Sequence, residues 1–358
     1  MKIVILANSS SGVYDFRKEL ILELIKQNKI VVITPDSGKF QELEDIGCEM
    51  IRICIDRRGI NPISDFRLLL LYNQLLNKIT PDLVITYTIK PNIYGTFICR
   101  LLNIPYAVNI TGLGTAFQKE GLLKKVVAFM YKVALKDAKV VYFENIGNRE
   151  CFLGSSIIQR KQSCLLNGAG VNLEEYKLQE YPNCEKGIHF LFIGRVMQEK
   201  GIDELFEAME MIHREYSNCY LDIVGSFEED YTEVIKQGEE KGWLKYHGYQ
   251  NDVRPFIKNA HCFVLPSWHE GMANTNLECA ASGRPLITSN IYGCKEAVIE
   301  DVSGFLCEPK NSESLYMTMK KFIGLSQEER ETMGCVGRKH MENVFDKKKV
   351  VAETIKFL

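Results

Sequence analysis

The sequence predicts an α/β chain of two Rossmann-like domains, each a doubly wound parallel sheet, facing a central cleft. Three observations carry that expectation. β-rich apolar runs alternate with helix-period segments through the first half of the chain. A second series of the same kind begins near His189. The length of 358 residues suits two domains at roughly 100–200 residues each.

The elements follow in order. Ile3–Ala7 is a buried strand, because its apolar run is too short for a signal-peptide core and passes straight into a polar loop. Arg17–Gln27 places Leu20, Ile21, Leu24 and Ile25 at helical spacing. Ile30–Thr34 is the next strand, stopped by Pro35-Asp36-Ser37-Gly38. Phe66–Lys78 and Pro91–Leu102 read as helices, and Leu83–Thr86, Tyr106–Ile110, Val140–Glu144 and Ser163–Leu166 as strands. Residues 166–186, rich in Gly, Asn, Glu and Pro, read as a hinge. In the second series His189–Ile193, Tyr220–Val224, Cys262–Leu265 and Leu286–Thr288 are strands, and Ile202–Glu215 is a helix. The chain ends in a charged helical stretch, 327–358. In such a fold, ligands gather at the carboxyl ends of the strands.

Composition narrows the function. The chain is 46% hydrophobic and 25% charged, ordinary globular usage that excludes low-complexity disorder. No run approaches the ~18 apolar residues of a membrane-spanning helix. Twelve cysteines include no C-x-x-C pair, which points to free thiols in a reducing compartment. The net charge of −2 hides an asymmetry: residues 1–170 hold 22 basic and 15 acidic side chains, the remainder 22 and 31. The first half therefore suits an anionic partner. There is no D-x-D triplet, no H-E-x-x-H and no phosphate-binding loop of the G-x-x-x-x-G-K-[ST] type. Gly112-Leu113-Gly114 lacks the third glycine of a dinucleotide fingerprint. No metal and no nicotinamide or ATP cofactor is expected. With no basic–aromatic stripe, nucleic acid is not an expected partner either.

Two constellations carry chemistry. Phe192–Gly201 lies between a strand and a helix, where backbone N–H groups and the helix dipole face an anion. Gly194 lets the turn tighten, Arg195 supplies a fork donor and Lys200 a point charge, the pair a diphosphate needs. A solvated loop with two unrelated cations would explain the same residues taken alone. The second constellation runs from Glu270 through Gly271, Met272, Ala273, Asn274 and Thr275 to Glu278. Paired carboxylates serve acid–base chemistry in some enzymes. Here hydroxyl recognition is the better reading, with Glu270 in a loop and Glu278 one turn into a helix. The amides of residues 272–275 could meet a phosphate; a capped surface helix would also carry this sequence. Residues 119–139 hold six lysines interleaved with apolar residues. They read as a basic amphipathic helix suited to an anionic membrane surface, or as a core helix with solvated lysines.

Together, Gly194-Arg195-x4-Lys200-Gly201 and Glu270-x7-Glu278 in a two-Rossmann chain resemble the retaining nucleotide-sugar glycosyltransferases of family 4, which have the GT-B fold. Gly168–Leu173 is similar to that family's interdomain turn, with Asn172 where Asp is usual. Gly248–Val253 resembles the segment over the nucleotide base, which implicates Val253, and Ser303–Leu306 a late strand. Thr86–Gly95 and Ile110–Phe117 resemble the branch that builds capsule, O-antigen and lipid-linked glycans. Thr111 stands where many members have a donor-contacting His, so it can be a hydroxyl contact at most. The first loop, residues 8–13, keeps one glycine, Gly12, where the family often has two. The resemblance implies an acceptor domain at 1–170, a donor domain at 171–344 and a terminal helix at about 345–358 packing back onto the first domain. It implies transfer of a sugar, with a HexNAc as the suggestion, from a UDP-sugar to a polyprenyl-diphosphate-linked glycan at the inner face of a bacterial membrane. Arg195 and Lys200 would hold the diphosphate, Glu270 a hexose hydroxyl and Glu278 the ribose. Gly12, Lys90, Thr111 and Gly112 would line the first-domain side. A nucleotide-sugar epimerase or hydrolase of the same fold, and a non-catalytic UDP-sugar-binding scaffold, are the alternatives.

Overall fold

The computed structural model describes residues 1–56, 59, 61–114, 117 and 121–358. It divides into two compact units: Met1–Ala169 with Lys348–Leu358, and Gly170–Lys347. Strands in the first unit are β1 (Lys2–Leu6), β2 (Lys29–Thr34), β3 (Glu49–Arg52), β4 (Leu83–Tyr87), β5 (Tyr106–Ile110), β6 (Val140–Phe143) and β7 (Ser163–Leu165). Its helices are α1 (Ser10–Ile25), α2 (Phe40–Asp45), α3 (Pro62–Ile79), α4 (Thr96–Leu101), α5 (Leu122–Ala134) and α6 (Ile146–Gly154). The second unit holds β8 (Ile188–Ile193), β9 (Cys219–Val224), β10 (Leu244–Tyr246), β11 (Cys262–Leu265), β12 (Leu286–Ser289) and β13 (Gly304–Cys307). Its helices are α7 (Ile202–Glu215), α8 (Thr232–Glu240), α9 (Arg254–Asn259), α10 (Asn274–Ala281), α11 (Ser312–Ile323) and α12 (Gln327–His340). The last helix, α13 (Lys347–Ile355), opens at Lys347 and then runs in the first unit.

Both sheets are parallel throughout. The first has the order β3-β2-β1-β4-β5-β6-β7, and the second β10-β9-β8-β11-β12-β13. The central strands are buried on both faces, which is why Lys2–Leu6 and Ile30–Thr34 read as unbroken apolar runs rather than alternating ones. One face of the first sheet packs against α3 through α6, with Tyr72, Ile98, Tyr131 and Phe152 in a shared core. The other packs against α1 and α13; Tyr142 donates its hydroxyl hydrogen to the Thr354 carbonyl at 2.6 Å.

The structure revises several expected elements. The helix expected from Arg17 begins at Ser10, because the Ser9 hydroxyl caps it by accepting the Gly12 N–H at 3.1 Å. The loop expected at residues 8–13 is thus a capped helix start that contains Gly12. The helix expected at Pro91–Leu102 is a π turn over Pro91–Gly95 followed by α4. The terminal stretch breaks into α12, a π turn at Met341–Phe345 and α13. The hinge is shorter than 166–186: from Gly170 on, the chain belongs to the second unit, and Tyr181 is buried there, donating to the His261 carbonyl at 2.8 Å.

His261 gives the second unit an acid-sensitive joint. Its Nδ1 accepts the His189 backbone N–H at 2.9 Å, so the proton sits on Nε2, which faces the Asn183 carbonyl at 3.3 Å. Burial disfavours the imidazolium and holds the side chain at a pKa of about 4, despite that carbonyl. The folded pKa lies below the unfolded value of about 6.5, so the unfolded state takes up a proton first as pH falls. Stability is therefore expected to be full above pH ~6.5 and to decline by roughly 2–4 kcal/mol between there and pH ~4. Urea midpoints measured across that window check it, and His261→Gln should flatten the slope.

Candidate active site

In the second unit, two loops at the carboxyl ends of neighbouring parallel strands β8 and β11 are stapled together. Gly201 sits at φ +73°, and a Cβ there would lie 2.1 Å from the Pro266 carbonyl oxygen, so only glycine allows this approach. The Trp268 N–H donates to the Glu199 carbonyl at 3.0 Å, and its indole N–H to Glu204 Oε1 at 3.0 Å. Gly225, at φ +147°, holds the β9 end against Gly194, whose carbonyl oxygen would be 1.8 Å from an added Cβ.

That staple brings Lys200 to Glu270. The Lys200 ammonium forms an ion pair with Glu270 Oε1, and both side chains are largely buried. Ser267 donates its hydroxyl hydrogen to the same carboxylate oxygen at 2.8 Å. Arg195 does not join them: its guanidinium is half-exposed and pairs with Glu228 Oε2 at 3.3 Å. Residues 270–271 also lie backbone-to-backbone against the turn after β12; a Cβ on Gly293 would meet the Gly271 carbonyl oxygen at 2.7 Å.

The expected row of phosphate-facing amides is shorter than the sequence suggested. The Ala273 N–H donates to the Gly293 carbonyl at 2.7 Å, which removes it from that set. Met272 and Ala273 have buried side chains that belong to the core. Asn274 and Thr275 open α10, whose N-terminus has no side-chain cap. Glu278 is half-buried one turn in, beside Tyr176; burial raises the phenol's pKa, and the Glu278 charge adds to the rise. Val253 precedes α9 and packs partly buried against the core. Asp252, next to it, accepts the Arg254 N–H at 3.0 Å.

In the first unit, Lys90 follows the end of β4, where Thr88 takes φ +72°, a strained conformation for a β-branched residue. The Lys90 ammonium pairs with Asp65 Oδ1 at 2.7 Å, and the Tyr94 hydroxyl donates to Asp65 Oδ2 at 2.8 Å. Thr111 and Gly112 are partly exposed in the turn after β5. Thr115 and Ala116 of the Ile110–Phe117 motif, and Lys119 and Glu120 of the basic stretch, lie outside the described residues. Among the described residues no group of three His, Cys, Asp or Glu could hold a metal.

Sequence reasoning gave no role to Ser267, Asp65, Tyr94, Glu228 or the turn at Gly293. Ser267 was findable, three residues before Glu270. Asp65 was not, because its partner is 25 residues away on another element.

Comparison with known proteins gives the family and the fold. A family profile described as glycosyl transferases group 1 matches residues 175–340, and one described as glycosyl transferase 4-like matches residues 2–145. The N,N'-diacetylbacillosaminyl-diphospho-undecaprenol alpha-1,3-N-acetylgalactosaminyltransferase of Campylobacter jejuni is 26% identical over 333 residues, 88% of this chain and 87% of that protein. The capsular polysaccharide biosynthesis glycosyltransferase CapM of Staphylococcus aureus is 27% identical over 340 residues, 90% of this chain and 87% of that protein. The crystal structure of Anabaena HepE in complex with UDP and glucose covers 100% of both chains with a TM-score of 0.81 at 16% identity, a likeness of fold. Two parallel-sheet α/β units are the GT-B architecture. The chain therefore belongs to the group 1, family 4-like glycosyltransferases, enzymes that transfer a sugar from a nucleotide donor.

Proposed function

We propose that this glycosyltransferase retains anomeric configuration and moves a sugar from a UDP-sugar to a polyprenyl-diphosphate-linked glycan during assembly of a bacterial surface polysaccharide. The observation that carries the donor half is the largely buried Lys200–Glu270–Ser267 cluster at the ends of β8 and β11. The name of the Campylobacter relative supports the lipid-linked acceptor, and that of CapM the surface polysaccharide.

In this reading the second unit takes the donor. Lys200 and Arg195 hold the diphosphate and stabilise the charge that grows on UDP as the anomeric bond breaks. That charge is greatest in the transition state, so these contacts raise turnover as well as binding. Arg195 exchanges Glu228 for the diphosphate when donor enters. Glu270 accepts a hexose hydroxyl and Glu278 the ribose hydroxyls. Gly271, Asn274 and Thr275 border the phosphates, and Val253 the base. No side chain is assigned as nucleophile: the acceptor hydroxyl attacks on the face the UDP leaves, and a donor phosphate oxygen takes its proton. The two cations serve in place of a metal. The first unit takes the acceptor through Lys90, Thr111 and Gly112. The protein works on the cytoplasmic side, at the membrane that holds its acceptor.

Arg195→Ala is expected to lower kcat by about 10- to 100-fold with the melting temperature nearly unchanged, since the side chain is half-exposed and its ion pair with Glu228 is a surface one. Incubation of the wild type with a UDP-sugar panel, with and without a lipid-linked acceptor, tests the reading. Sugar transfer that needs the acceptor supports it. UDP release or sugar epimerisation without acceptor would mark a hydrolase or epimerase, and donor binding without turnover a scaffold.

A further inference from the structure

The helices on one face of the first sheet are unusual in what they leave in solvent. α3 exposes Ile63, Phe66 and Leu70, α4 exposes Phe97 and Leu101, and α5 exposes Leu122, Leu123, Val126 and Phe129, at 41–78% of their full surface. Among the described residues, no other helix exposes more than one large apolar side chain. The nine are not random positions. Their spacing within each helix, as in Ile63, Phe66 and Leu70 or Leu122, Val126 and Phe129, marks a single outward line. The opposite lines of the same helices are already occupied: Leu68, Tyr72 and Leu76, Ile98 and Cys99, and Tyr131 are buried in one core. α4 lies between α3 and α5 and touches both. The three outward lines therefore adjoin and make one broad apolar face.

Its charge is predominantly positive; Asp137, exposed beside Lys136, is paired with Arg100 of α4 at 2.7 Å. Arg67, Lys125, Lys132 and Lys136 are exposed on or beside the outward lines. The only acid within the three helices is Asp65, and Lys90 and Tyr94 hold it. Contiguous exposed apolar surface marks an interaction site. Lysine is depleted from protein–protein interfaces, whereas apolar side chains fringed by lysine and arginine suit the boundary between anionic headgroups and acyl chains.

We propose that the outward face of α3, α4 and α5 is a docking platform that inserts its apolar side chains into an anionic phospholipid bilayer. The proposal deepens the reading of a membrane-bound acceptor and rests on it for its purpose. It extends the contact beyond the basic helix to α3 and α4, and it makes insertion, not only charge, the source of affinity.

Co-sedimentation with phosphatidylcholine vesicles, with and without phosphatidylglycerol, tests this at low and high salt. The wild type should bind the anionic vesicles and keep part of that binding at high salt. Phe66→Gln/Leu101→Gln/Phe129→Gln should lose binding by about tenfold or more at both salt concentrations. Arg67→Gln/Lys125→Gln/Lys132→Gln should lose mainly the preference for phosphatidylglycerol. Thermal melts confirm that both variants fold. A wild type that ignores anionic vesicles, or an apolar triple variant that binds as well as the wild type, overturns the platform. So does a wild-type dimer that the apolar variant converts to monomer, which would make the face a protein interface. Transfer to a short, water-soluble acceptor should survive in both variants. Its absence in the wild type as well, with vesicle binding intact, would count against the transferase reading and leave the platform standing.

Discussion

Lys200→Ala is expected to lower kcat roughly 100- to 1000-fold, the range seen when one preorganised donor to a developing anion is removed. The reason lies in how the ammonium is held. It is largely buried, on a short turn locked by Gly201 against the Pro266 carbonyl. In the proposed reading it therefore needs little reorganisation when charge builds on the leaving diphosphate. Truncation has a second cost. Glu270 keeps its hydrogen bond from Ser267 but loses the Lys200 cation, which in the proposed reading raises the negative charge beside the donor phosphates. Lys200→Ala/Glu270→Gln separates the two effects. If the pair acts as a unit, the double variant loses less than the product of the single losses. Lys200→Arg should rescue little, because a planar fork does not fit the place of a compact ammonium. Steady-state kinetics with the matched UDP-sugar read the outcome. A raised KM at unchanged kcat would move Lys200 from transition-state stabilisation to ground-state donor binding.

The parts of the structure legible in the sequence are those whose cause is local. β1, β2, β8 and β11 are buried on both faces, so their apolar runs identify them with no knowledge of the fold. β3 and β10 escaped notice because they are edge strands of four and three residues, Glu-Met-Ile-Arg and Leu-Lys-Tyr, with polar side chains that no burial forbids. The start of α1 is set by the Ser9 hydroxyl, a cap that a scan for apolar period passes over. The same division holds at the site. Lys200 and Glu270 stand out by motif spacing, and the structure joins them through long-range contacts no spacing reveals, Gly201 to Pro266 and Trp268 to Glu199. The Ala273 amide shows the opposite failure. A helix start invites a phosphate reading, yet the turn after β12 reaches that N–H first.

Breaking the Arg17–Glu144 pair is expected to cost the first unit about 3–5 kcal/mol, far more than most surface changes. Arg17 lies on α1 and Glu144 directly after β6, and each side chain is only 9% exposed. The guanidinium also lies over the Tyr87 ring at 4.9 Å. Glu144→Gln leaves a buried cation with a neutral partner, and Arg17→Met a buried carboxylate with none; each should destabilise by that order. Arg17→Met/Glu144→Leu removes both charges together and should recover most of the loss, because the desolvation cost disappears with the attraction. The exposed pair Lys26–Glu23, at 64% and 47%, is the contrast, and its loss should cost about 0–1 kcal/mol. The readout must be specific to the first unit. Both tryptophans, Trp243 and Trp268, belong to the second, so their fluorescence serves as the internal control. Hydrogen exchange of the α1, β4 and β6 amides under native conditions reports the opening of the first unit. Protection there should fall in both single variants and return in the double one. Equal losses in all three would instead assign the stabilisation to the packing of the two side chains.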